Sequence, residues 1–138
     1  MNWEECKIRQ LVKRESWDGN LIESLKKISE RKLIMDSFSP LNEETVAAKF
    51  VVNYDSLREI LEAVALKKGF KIYNHECFSA FLGEFLNMRE ASVRFDRLRK
   101  IRNSINYYGE NILVQEGKSL IEEILKLRKE MLKILNEK

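Results

Sequence analysis

Little in this chain interrupts a helix. One proline and five glycines among 138 residues leave few places to turn, which disfavours a many-turned β fold and points to long helices. No apolar run approaches the roughly 18 residues of a membrane-spanning helix. Cys6 and Cys77 stand 71 positions apart, without a Cys-x-x-Cys pair or a secretory leader. The expectation is therefore a cytoplasmic protein with no structural zinc, its cysteines serving as buried apolar filler. The single histidine, His75, excludes a histidine pair for nucleophilic or metal chemistry. No metal, no cofactor and no membrane association are expected.

What is abundant is charge and aliphatic carbon. Apolar residues make up 44% and charged residues 34% of the chain, the balance of a globular protein with a heavily charged exterior. At this length one core can bury roughly 68–70% of the unfolded surface, so residues 1–138 are read as a single domain. The formal charge of +3 is too small to imply nucleic-acid binding by itself. Its distribution is more telling: residues 89–102 hold six cations (Arg89, Arg94, Arg97, Arg99, Lys100, Arg102) against Glu90 and Asp96.

The apolar residues keep helical spacing along most of the chain. Residues 1–19, with Trp3, Cys6, Ile8, Leu11, Val12 and Trp17, read as an N-terminal arm or short helix. Asn20, with Glu23 as its reciprocal carboxylate, is the expected cap of a helix near 20–36. Pro40 separates it from a central helix near 43–68, capped by Asn42 and stopped at Gly69. The alternation in Phe70–Tyr73 covers only four residues and is read as a loop. Asn74 caps a short helix running to Asn87; a fourth helix spans 90–108 and exits through Gly109 in the left-handed conformation; a fifth covers 112–135. The predicted fold is all-α, an up-and-down antiparallel bundle of about five helices.

The most informative segment is Leu98-Arg99-Lys100-Ile101-Arg102-Asn103-Ser104-Ile105-Asn106-Tyr107-Tyr108-Gly109. On a wheel of about 100° per residue, Ile101, Ile105 and Tyr108 cluster near Leu98. Arg99, Asn103 and Asn106 occupy an adjoining polar face, and Arg102 sits at the border. An arginine there can bury its stem while its planar guanidinium grips a phosphate; the structural alternative is an ion pair with Glu59 or Glu62. Phe95, Tyr107 and Tyr108 interleave with the cations, as where single-stranded bases stack. Glu59 and Glu62, three residues apart, are candidates for acid–base work or for structural ion pairs. His75 is either a cap-region hydrogen-bonding residue or a member of the Arg102 cleft.

The Arg102-Asn103 pair, with a polar aromatic five positions after the arginine, resembles the Arg-x4-6-His motif of the HEPN domain. The segments Asn53–Val64 and Gly69–Glu76 are similar to the central helix and following turn of prokaryotic, especially archaeal, members. The resemblance implies a helical bundle forming a symmetric homodimer, often beside a minimal nucleotidyltransferase. In catalytic members it implies metal-independent RNA cleavage by arginine and histidine across the dimer groove. Here Tyr107 stands where that histidine belongs, and a phenol with ordinary pKa near 10 is a poor general base near neutrality. In the extended pattern a tyrosine follows two positions after the histidine, and Gly109 takes that place. The resemblance thus favours an RNA- or nucleotide-binding or regulatory subunit, with Arg99, Arg102, Asn103, Asn106, Tyr107 and His75 as ligand-binding candidates. The competing expectations are a toxin-type endoribonuclease of a toxin–antitoxin system using Arg102 with Tyr107 or His75, and an interaction-only bundle.

Overall fold

The computed structural model describes residues 1–137. Six α-helices account for most of them: α1 (Trp3–Ile8), α2 (Gly19–Ser37), α3 (Val46–Lys67), α4 (His75–Ala80), α5 (Arg89–Tyr108) and α6 (Val114–Leu135). A π-helical turn, Phe81–Phe85, continues α4. Helix α3 is the axis, with α2 and α6 packed along it and α5 crossing it. Its near-continuous apolar sequence explains that position: Phe50, Tyr54, Leu57, Ile60, Leu61, Val64 and Leu66 are fully buried, which only a helix covered on several sides requires. The helical-bundle expectation holds.

Several local expectations are corrected. The cap of α2 is Asp18, not Asn20: its carboxylate accepts from the N–H groups of Asn20 and Leu21 at 3.0 and 3.2 Å. Asp18→Ala should destabilise the fold by about 0.5–2 kcal/mol, while Asn20→Ala should be close to neutral. Chemical denaturation of both variants checks this, and the reverse order would return the cap to Asn20. Asn42 does bind the N–H groups of Glu44 and Thr45, in a turn just ahead of α3.

The segment read as a loop after Gly69 is a strand. β2 (Phe70–Ile72) pairs antiparallel with β1 (Val12–Arg14), with Val12 opposite Ile72 and Arg14 opposite Phe70. Tyr73 N–H and Glu15 N–H extend the ladder to Leu11 O and Gly69 O. Gly69, at φ +94°, supplies the left-handed turn from α3 into β2. The N-terminal arm is thus helix α1 followed by a strand, and Trp17 at its end is exposed. Trp3 of α1 packs edge-on against Phe70 and tilted against Phe81 and Phe85.

The cysteines are not separate fillers. Both are fully buried, as expected, but they are joined in a disulfide that ties α1 to α4. The expectation of free thiols, drawn from the absence of a short Cys spacing, fails because the bond spans 71 residues. The same junction holds the Met1 amino group against Glu76 at 3.3 Å and Trp3 N–H against Glu84 Oε2 at 2.8 Å.

Helix α5 buries Ala91, Phe95 and Leu98 against the core, whereas Ile101 and Ile105 are only half-buried at its edge. Tyr108, placed on the apolar stripe by the wheel, is 78% exposed. The last turn of α5 runs past the core before Gly109, at φ +64°, ends the helix.

Candidate functional site: an arginine-lined cluster between α3, α4 and α5

Three elements bring the charged residues together. Helix α3 contributes Tyr54, Asp55 and Arg58, whose spacing places them on one side of the helix. Helix α5 contributes Arg99, Arg102 and Asn106, separated by three and four residues and so also on one face. Helix α4 contributes His75 at its first position, where the Asn74 side chain caps it by accepting from Glu76 N–H at 2.8 Å.

Tyr54 is the centre. Its ring is fully buried and stacks on Phe95 with centroids 5.6 Å apart. The Arg102 guanidinium lies over it at 5.8 Å, a cation–π distance. The Tyr54 hydroxyl is 3.4 Å from His75 Nδ1, a long hydrogen bond. His75 therefore belongs to the Arg102 neighbourhood, and its structural alternative also holds in part, since it serves a buried phenol.

Arg102 is bound differently from Arg94, Arg97 and Arg99. Arg94 is hydrogen-bonded to Glu130, Arg97 to Glu123 and Arg99 to Asp96. Arg102 instead stands 3.6 Å from Asp55 Oδ1, beyond hydrogen-bonding distance, and that buried oxygen has no hydrogen-bond partner. The Asn106 amide, with its oxygen turned to the guanidinium, accepts from Arg102 Nη1 at 3.0 Å and Nε at 3.2 Å. Glu59 and Glu62 are not partners of Arg102. Glu59 pairs with Lys32 of α2 at 2.8 Å, and Glu62 with Arg58 and Lys71 at 3.1 and 3.9 Å. Both are ion-paired, as their structural alternative held.

The electrostatics follow from burial among cations. Burial raises the Tyr54 phenol well above its ordinary range, with the charges of Arg102, Arg58 and Arg99 offsetting part of the effect. Burial also lowers His75, to about 4, and Arg58, Arg102 and Arg99 lower it further. Asp96 is held below the usual carboxylate range. Burial works against this and is outweighed by hydrogen bonds from Arg99, Lys100 and Ser79 and by the Arg99 charge. The empty cluster thus keeps phenol and imidazole neutral beside three guanidiniums.

Of the expected site residues, Arg99, Arg102, Asn106 and His75 are brought together. Tyr107 is not: it is 74% exposed on the last turn of α5, and Asn106 occupies the position facing Arg102. Asn103 is half-buried beside the cluster, with no hydrogen bond to it. Tyr54, Asp55 and Arg58 were missed as site residues. Their signal was present as an aromatic, an acid and a base grouped on one side of α3. A cleft of about 970 Å³ between α4, the π-helical turn and the first half of α5 is lined by residues such as Glu84, Arg89 and Lys100. It contains neither Tyr54 nor Arg102, and Glu76, Glu84 and Asp96 in its lining carry negative charge, so we place the candidate site at the cluster.

Among the described residues, no group of three or more His, Cys, Asp or Glu side chains could hold a metal ion, and no helix is long and apolar enough to cross a membrane. The class defined here is a mainly α-helical bundle with an arginine-lined polar cluster. No protein-family model, curated protein or solved structure matches the chain.

Proposed function

We propose that this chain is a HEPN-type binding or regulatory subunit that takes a phosphate group of RNA or of a nucleotide at Arg102 and does not cleave it efficiently. One observation carries the reading: Arg102 alone among these four α5 arginines lacks a hydrogen-bonded carboxylate, and it lies over an aromatic ring beside a poorly satisfied Asp55. A phosphate oxygen would supply the bidentate partner that Asp55 does not. The exposed, displaced Tyr107 supports the noncatalytic side of the proposal, because nothing holds its hydroxyl toward Arg102.

A homodimer and a separate nucleotidyltransferase partner belong to the same reading through the resemblance. The cytoplasmic location rested on unpaired cysteines and loses that ground with the Cys6–Cys77 bond, since such bonds are rare in a reducing cytosol. Arg102→Ala should weaken binding of a single-stranded RNA by about tenfold at low salt while leaving helical content unchanged, and salt should weaken the wild type. Fluorescence anisotropy measures both. A parallel cleavage assay without metal separates the alternatives: rapid turnover lost in Arg102→Ala would make the chain a toxin-type endoribonuclease. Absence of binding at any salt would leave the interaction-only bundle.

A further inference from the structure

We propose that His75 is a binding residue of the Arg102 anion site, and that a phosphodiester enters this site together with one proton taken up from solvent by the imidazole. The inference rests on the reading of Arg102 as a phosphate-binding residue.

The geometry carries it. His75 and Arg102 flank the same buried phenol. The His75 and Tyr54 ring centroids are 6.2 Å apart, and the guanidinium carbon is 5.8 Å from the Tyr54 ring. Arg58, Arg102 and Arg99 are the charges that act on the imidazole, and each has its own surroundings. Helix α3 offers Arg58, committed to Glu62, and Asp55, facing Arg102. Helix α5 offers Arg99 and Lys100, both committed to Asp96, and Arg102. Strand β2 offers Lys71, turned to Glu62, while Glu76 on α4 is held by the Met1 amino group. Of the three arginines near the imidazole, Arg58 and Arg99 are hydrogen-bonded to Glu62 and Asp96, and Arg102 has no hydrogen-bonded carboxylate. An anion seated on it is therefore positioned to change the electrostatics felt by His75.

Tyr54 also orients the ring. A phenol donating to Nδ1 leaves the proton of the neutral imidazole on Nε2, the edge away from Tyr54. When the imidazole gains a second proton, Nδ1–H becomes the donor and the Tyr54 oxygen the acceptor. The contact survives in both states, so protonation requires only a hydroxyl rotation and no rearrangement of α4.

The sign follows from the free state. Burial and the three arginines hold His75 at about 4, so at neutral pH the empty site binds no proton there. A phosphodiester on Arg102 cancels part of the cationic field and attracts the imidazolium, moving the group back toward its ordinary value near 6.5. Where the bound form holds a proton and the free form does not, affinity rises as pH falls. That window runs from about 6.5 down to about 4. From pH 7 to pH 5 binding should tighten on the order of tenfold.

The test is the affinity of a 5′-hydroxyl oligouridylate for the full chain at pH 7, 6 and 5 and constant ionic strength. Its phosphodiesters and bases do not titrate in this range, whereas a terminal phosphate would. Wild-type protein should bind about tenfold more tightly at pH 5 than at pH 7. His75→Gln, which keeps a neutral donor but takes up no proton, should bind no more tightly at pH 5 than at pH 7. In the wild type, the imidazole followed by NMR should titrate at higher pH with the oligonucleotide than without it; this measurement needs no variant to fold. A flat wild-type profile, an unchanged slope in His75→Gln or an imidazole indifferent to RNA would overturn the proposal while Arg102→Ala still weakens binding. If Arg102→Ala binds like wild type at every pH, the underlying site reading fails instead.

Discussion

Loss of the Cys6–Cys77 bond is expected to lower the stability of the fold by about 4 kcal/mol, the loop-closure entropy of a 71-residue loop. In Tm this is roughly 10–15 °C for a chain of this size. The effect acts mainly through the unfolded chain. The arm remains docked in the folded state by Trp3 against Phe70, Phe81 and Phe85, by the β1–β2 ladder and by the Met1 and Trp3 contacts to Glu76 and Glu84. Alanine at both positions avoids burying new hydroxyls. The double variant should therefore unfold earlier in denaturant than the oxidised wild type, and the oxidised wild type should expose no free thiol when denatured. Two titratable thiols, with midpoints indifferent to a dithiol reductant, would show that the bond does not form.

Leu98→Ala should cost about 2–5 kcal/mol. Leu98 has no solvent exposure and lies where α5 meets the core, so truncation leaves a cavity that neighbouring helices can only partly close. Ile101, one turn on, is half-buried and should cost less when truncated, about 1–2 kcal/mol. Sequence periodicity treated the two positions alike. Equal losses in urea unfolding, or a near-neutral Leu98→Ala, would reject the packing of α5.

A second packing feature escaped the periodicity. Gly117 of α6 reads as an unremarkable helical glycine, yet a Cβ there would overlap Val46 Cγ2 on the first turn of α3. The glycine is what lets the two helices approach.

The sequence by itself determined the helices and most of their ends, because 3.6-residue periodicity, Asn74 as a cap and Gly69 and Gly109 as stops are local properties of the chain. It also marked Arg102 as a border residue. Where an outcome depended on distant segments, the tertiary structure decided. β1 and β2 are three residues each, too short to be recognised apart, and they exist because the turn after α3 meets the arm leading from α1. The disulfide depends on the same approach of α1 to α4. Only packing could choose Asp55 rather than Glu59 or Glu62 to face Arg102, since all three acids share α3 and differ only in the side they present. The cluster likewise required Tyr54, Arg102 and His75 from three helices to meet around one buried phenol. Periodicity assigns each residue a face on its own helix, but the angles at which helices cross decide which faces meet.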